Sequence, residues 1–67
     1  MHERLAFIAS RRRGIETYYF AHIPEPMILE PVGRRWRFQL LEYPTRAEAF
    51  RDMLTHASFR LERQSLR

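Results

Sequence analysis

Residues 36–61 read WRFQLLEYPTRAEAFRDMLTHASFRL. In the first part Trp36, Phe38 and Leu40 alternate with Arg35, Arg37 and Gln39, the period of two expected of a strand with one buried face. Pro44 closes the run, because it has no N–H to give and biases Tyr43 away from the helical region. Thr45-Arg46-Ala47-Glu48 follows as a capping box, in which the Thr45 hydroxyl accepts from the Glu48 N–H and the Glu48 side chain reaches back to Thr45. From there Phe50, Met53, Leu54, Ala57 and Leu61 recur at helical spacing and form one stripe, read as the face buried in the core. The stretch predicts a strand over 34–43 and an amphipathic helix over 46–61 that folds back over the sheet.

Working towards the N-terminus, Pro24, Pro26, Pro31 and Gly33 break up IPEPMILEPVG, which reads as a connecting loop. Its apolar Met27, Ile28 and Leu29 either cap the open end of the core or, within the segment 27–30, grip a partner. Before it, 15–23 alternates as a second strand, with Ile15, Thr17, Tyr19, Ala21 and Ile23 on one side and Glu16, Tyr18, Phe20 and His22 on the other. Residues 4–10 read as a first strand, although Leu5, Ile8 and Ala9 also fit helical spacing. Gly14 supplies a positive φ for the turn between them. The expected plan is a single small α+β domain over 1–67: a three-stranded antiparallel meander with one C-terminal amphipathic helix packed on one face, βββα.

Sixty-seven residues without cysteine must be held by packing or by association with another subunit, since neither a disulfide nor a cysteine zinc site is possible. A homodimer is therefore expected as one option. The formal net charge is +4, and all twelve basic residues are arginine. Two readings stay open: an anionic partner met by bidentate guanidinium contacts, or a genome that encodes arginine wherever a cation is needed. No segment approaches the ~20 apolar residues needed to span a bilayer, so no membrane partner and a cytoplasmic location are expected.

A sheet covered on one side leaves its other face open. On the expected plan that face carries Arg35, Arg37, Gln39 and Leu41 of the third strand, with Tyr18, Phe20 and His22 of the second. Arginines interleaved with aromatics suit single-stranded nucleic acid or a protein surface. The same plan places Arg11, Arg12 and Arg13 at one end of the sheet. Arg34 and Arg35 then lie at the other end, beside the helix tail with Arg60, Arg63 and Arg67. Phe59 falls off the buried stripe, so either the helix ends before it or it is exposed to a partner.

No GxSxG, HExxH, His-x3-5-His or glycine-rich phosphate loop is present, and neither catalytic residues nor a cofactor or metal site is expected. The reading is of a small non-enzymatic basic accessory protein that binds nucleic acid through an Arg/aromatic open sheet face and a basic helix end. The alternative is a protein-binding modulator or inhibitor of a larger protein, of the kind phages and mobile elements encode, acting through the open face or the 27–30 loop.

Residues 34–50, RRWRFQLLEYPTRAEAF, resemble the end of the AP2-like arm-type DNA-binding domains of phage integrases. There a strand passes through a Phe/Tyr-x-Thr-x-x-Glu-Ala motif into a helix behind a three-stranded sheet, and Tyr43, Thr45, Glu48 and Ala49 match that motif. The resemblance implies a sheet lying in the major groove, with Arg35, Arg37 and Gln39 as readers. The long proline segment before residue 34 departs from that family. A weaker similarity to MbtH-like proteins rests on TRAEAF and the terminal SLR, without their Ser-x-Trp-Pro segment.

Overall fold

The fold is an antiparallel sheet backed by one C-terminal helix. It is seen in a computed structural model that describes residues 6–65, with side chains for 11–61. The elements are β1 (Ala6–Arg12), β2 (Ile15–Phe20), β3 (Met27–Val32), β4 (Arg35–Phe38), β5 (Leu41–Tyr43) and α1 (Arg46–Ser65). The five strands pair in sequence order, β1-β2-β3-β4-β5. Residues 6–10 are strand, not helix; positions 4 and 5 of the expected strand lie outside the described residues.

Two of these strands replace features expected otherwise. MILEPV is β3, in the middle of the sheet, and not a connecting loop. Its Pro31 is tolerated because β3 pairs with β2 only over Met27, Ile28 and Leu29. At Pro31 the strand pairs on one side only, with Trp36 of β4, so this stretch of β3 is locally an edge, where proline is tolerated. Second, the run 34–43 is two strands folded on each other at Gln39 and Leu40. Gln39 takes a φ of 58° to make that turn, a conformation sequence reasoning assigns to Gly, Asn or Asp. The turns that the sequence does mark behave as their residues dictate. Arg13 and Gly14 both have positive φ, 55° and 82°, as a type I′ hairpin requires, and Gly33 at 62° opens the β3–β4 turn.

Register assigns the two faces of the sheet. Glu16 opposite Leu29, Tyr18 opposite Met27, Leu29 opposite Phe38, and Trp36 opposite Tyr43 lie on the side facing α1. Thr17 opposite Ile28, Glu30 opposite Arg37, and Arg37 opposite Glu42 lie on the outer side. Tyr18 and Phe20 are thus buried core residues and not part of the open face, while His22 lies beyond the end of β2. His22 Nε2 is 2.9 Å from the Ala57 carbonyl, tying this turn to the helix.

The core joins Tyr18, Phe20, Ile23, Met27, Leu29 and Phe38 to Ala49, Met53 and Ala57 of α1. The buried stripe of the helix therefore runs through Ala49, Met53 and Ala57, flanked by Phe50, and not through Leu54 and Leu61, which are exposed. Two alanines let the helix backbone lie close to the sheet; Ala57 belongs to the expected stripe, and Ala49 is the one that a search for large apolar residues passes over. Leu40, expected to point inward, is 96% exposed, because the turn takes it off the strand. One half of the capping box forms: the Glu48 N–H donates to the Thr45 Oγ1 at 3.2 Å.

Helix α1 packs over β3, β4 and β5. Phe50 meets Tyr18 edge to face, with centroids 5.6 Å apart, and His56 meets Phe38 in the same way at 5.8 Å. On the β5 flank the Tyr43 hydroxyl donates to Asp52 Oδ2. That bond to a carboxylate holds the phenol protonated and pushes its pKa up from 10.0 to about 12.

Two outcomes are expected. Gln39→Gly raises stability in urea by roughly 0.5 kcal/mol, since relief of a left-handed side-chain conformation exceeds the added chain entropy, whereas Leu40→Asn changes it by less than about 0.5 kcal/mol. For Tyr43 the folded pKa is raised, so its contribution is full below the ordinary value of 10.0 and is lost as pH rises through about 12. Tyr43→Phe should remove that alkaline limb from a pH series of urea midpoints.

Candidate nucleic-acid interface

The strand order fixes where the arginines meet. The turns at 13–14 and 33–34 and the exit of β5 into α1 lie at one end of the sheet, and the 21–26 connection and the turn at 39–40 lie at the other. Arg34 and Arg35 therefore lie at the same end as Arg11, Arg12 and Arg13, not with the helix tail. β3 carries the chain back up before β4 begins, which reverses the placement expected of a three-stranded meander. The two turns are close: a Cβ on Gly14 would meet the Pro31 Cγ at 3.1 Å. The N-terminus of α1, with its partial positive charge and its Glu48 N–H capped by Thr45, opens at this same end.

Five arginines of strands and turns are thus gathered, and a sixth, Arg46, begins the helix. They divide by what neutralises them. Glu16 is buried at 5% exposure and is the carboxylate around which one group assembles. Arg46 donates to it from Nη2 at 2.8 Å and from Nε at 3.0 and 3.1 Å, and Arg11 Nη2 stands 3.7 Å away. The Tyr18 hydroxyl donates to Glu16 at 2.7 Å and accepts from Arg46 at 2.9 Å. The Arg46 guanidinium also lies over the Phe50 ring, 5.2 Å from its centroid. The guanidinium hydrogen bonds of Arg46 hold the Glu16 carboxyl below its usual range against the opposing effect of burial. Burial, with the bond to Glu16, pushes the Tyr18 phenol up.

A second group lies on the outer sheet face. Arg37 reaches Glu30 at 3.2 Å and Glu42 at 3.8 Å, and Arg35 reaches the Glu42 carboxylate at 3.5 Å and its carbonyl at 3.1 Å. These four side chains cancel in charge. Arg12, Arg13 and Arg34 are exposed and make no ion pair among the described residues. They are the arginines of this end that no described carboxylate answers.

The remaining candidates lie at the opposite end. Gln39 is in the β4–β5 turn, and Arg60 is held to Glu25 at 3.3 Å. Phe59 is in the helix and 57% exposed, which resolves the two alternatives for it in favour of exposure. With Phe38, Leu41, Asp52, Thr55 and His56 it borders an open groove of about 340 Å³ between β5 and α1. Arg63 belongs to α1, but its side chain lies outside those described.

No protein-family model, curated protein or solved structure matches the chain. The integrase-type arrangement suggested by residues 34–50 uses three strands where this sheet has five, and its reader position Gln39 is here a turn residue. Among the described residues no group of three or more His, Asp or Glu side chains is placed to hold a metal, and no helix is long and apolar enough to cross a membrane. Sequence reasoning missed Glu16 and Arg46. An acidic residue on the aromatic side of a strand, opposite a helix that starts with arginine, is the signal that points to them.

The Glu16 clamp has a testable signature. Its carboxyl is depressed in the folded state, so its contribution is full above the ordinary carboxylate pKa and is lost as pH falls through the lower folded value. Glu16→Gln is expected to cost about 2 kcal/mol at neutral pH and roughly 10 °C in Tm. It should also shrink the acid limb of the stability profile measured by thermal melts from pH 7 to pH 2.

Proposed function

We propose that this chain is a small non-enzymatic accessory protein that binds nucleic acid at the arginine end of its sheet. The observation that carries the reading is Arg12 at the end of β1 with Arg13 and Arg34 in neighbouring turns, exposed cations without an ion pair among the described residues, at the end of the sheet where α1 starts. Guanidinium groups donate bidentately to phosphate oxygens, and the positive end of a helix dipole also favours an anion. Arginine keeps its charge throughout the working pH range and transfers no proton, which suits a binding surface better than a catalytic one. The contact is assigned to this end in place of the open sheet face, because Arg35 and Arg37 are already bonded to Glu30 and Glu42 and Tyr18 and Phe20 face the core. Binding of this kind is dominated by phosphate and is strongly salt-dependent.

A second reading, a protein-binding modulator, is favoured by one observation at the other end. Leu41 and Phe59 are exposed along the β5–α1 groove, which suits an apolar side chain of a larger partner.

Fluorescence anisotropy with a labelled duplex and a labelled single strand, at 50 and 200 mM salt, tests the first reading. Wild type should bind at low salt and weaken steeply at high salt. Replacing Arg12, Arg13 and Arg34 by Ala together should lower low-salt affinity at least about tenfold and flatten the log–log salt slope by roughly two to three. Arg35→Ala with Arg37→Ala should stay within about threefold. Absence of binding at low salt, or a larger loss in the second variant than in the first, would overturn the assignment.

A further inference from the structure

The first hairpin carries arginine on both of its faces. By register Arg11 stands opposite Glu16 and shares its side of the sheet, towards α1, whereas Arg12 stands opposite Ile15 on the outer side. Arg13 makes the turn between them, and all three are exposed. Pairing of β2 with β3 ends at Glu16 and Leu29, so Arg12 to Ile15 extend past it as a two-stranded tip. The tip is propped from one side, where a Cβ on Gly14 would meet the Pro31 Cγ at 3.1 Å. Of the three arginines, Arg11 alone has an ion pair, and it is loosely held. Glu16 takes bonds of 2.8 to 3.1 Å from Arg46 and one of 2.7 Å from Tyr18, while Arg11 stands 3.7 Å away with its side chain 62% exposed. An ion pair this long and solvated contributes little. A phosphate can take Arg11 and leave the Glu16 carboxylate satisfied.

We infer, resting on the phosphate-binding reading of this end, that the ligand is a B-form DNA duplex and that the tip enters its major groove, Arg11 and Arg12 meeting phosphates of opposite strands. Cations on both faces of one ribbon select a concave ligand. A single strand supplies one wall of phosphate and leaves one of the two arginines without a partner; the two walls of a groove answer both. Width selects the groove. The strands of a ribbon lie ~4.8 Å apart before side chains are added, and the ~12 Å major groove of B-form DNA admits such a ribbon where the ~6 Å minor groove does not. The major groove of duplex RNA is too deep and narrow to take it. Arg13, at the tip, then lies nearest the groove floor, where guanine O6 and N7 accept from a guanidinium.

Anisotropy with a DNA duplex, an RNA duplex and a DNA single strand of equal length, at 50 and 200 mM salt, tests this. The DNA duplex should bind at least about tenfold more tightly than the other two at 50 mM salt. Arg11→Ala should weaken duplex binding about threefold or more and flatten the log–log salt slope by about one. Its Tm should stay within about 3 °C of wild type, because Arg46 keeps Glu16. Arg51→Ala removes the same charge from an exposed position on α1 and should leave the slope unchanged. A readout on the wild-type chain needs no variant to fold: saturating protein should shield guanine N7, in the major groove, from dimethyl sulfate and leave adenine N3, in the minor groove, reactive. Equal affinity for the single strand or the RNA duplex overturns the groove assignment and leaves phosphate binding standing. So does shielding of adenine N3 in place of guanine N7, or a slope that Arg51→Ala changes as much as Arg11→Ala. Absence of binding to all three ligands at 50 mM salt overturns the phosphate-binding reading itself, and the groove assignment with it.

Discussion

The bond between the Glu16 carboxylate and the Arg46 guanidinium is the constraint on which the arrangement depends. A carboxylate that is 5% exposed has lost most of its water, and its charge is tolerable only with strong donors around it. Arg46 supplies them from the first residue of the helix, Tyr18 adds a hydroxyl, and Phe50 covers the guanidinium. The pair therefore fixes where α1 starts relative to β2. It also brings the aromatic pair Tyr18 and Phe50 into contact, from which the rest of the apolar packing extends.

Neutralisation, more than the number of arginines, shapes the surface. Arg11 and Arg46 serve a buried carboxylate, Arg35 and Arg37 close a surface network, and Arg60 answers Glu25. Of the other arginines with described side chains, Arg12, Arg13 and Arg34 share one end of the sheet and Arg51 lies on the helix. A chain of modest net charge thereby acquires one strongly positive end. That distribution comes from the meander, because alternate turns of an antiparallel sheet in sequence order share an end.

The helix, its start, the first hairpin and the α+β class were legible in the sequence, since Thr45, Glu48, Gly14 and the alternation of 15–23 each have a local cause. The number of strands was not. Pro31 carries a breaker's signature, yet it sits where β3 pairs on one side only. Gln39 carries no turn signature and still adopts one, so WRFQLLEY reads as one strand when it is two. Of the helix face read as buried, Met53 and Ala57 are core and Phe50 flanks them; Ala49 was passed over for its small size, while the larger Leu54 and Leu61 stay outside. Of the site, the arginines could be named from sequence. Which of them are neutralised depends on registers and on a long-range pair that no local pattern encodes.

All the strand pairings join neighbours in the chain, so the sheet is assembled by closing short loops, each with a modest entropic cost. Among the described residues the polar ties of greatest sequence separation are of another kind: Glu16 to Arg46, His22 to Ala57 and Glu25 to Arg60, spanning 30, 35 and 35 residues. Each of the three fastens β2, or the connection that follows it, to the helix. The molecule is in this sense a series of local closures shut by three remote latches. Its contact order is kept low by the meander, and its cooperativity rests on the latches that join the first hairpin to everything folded after it.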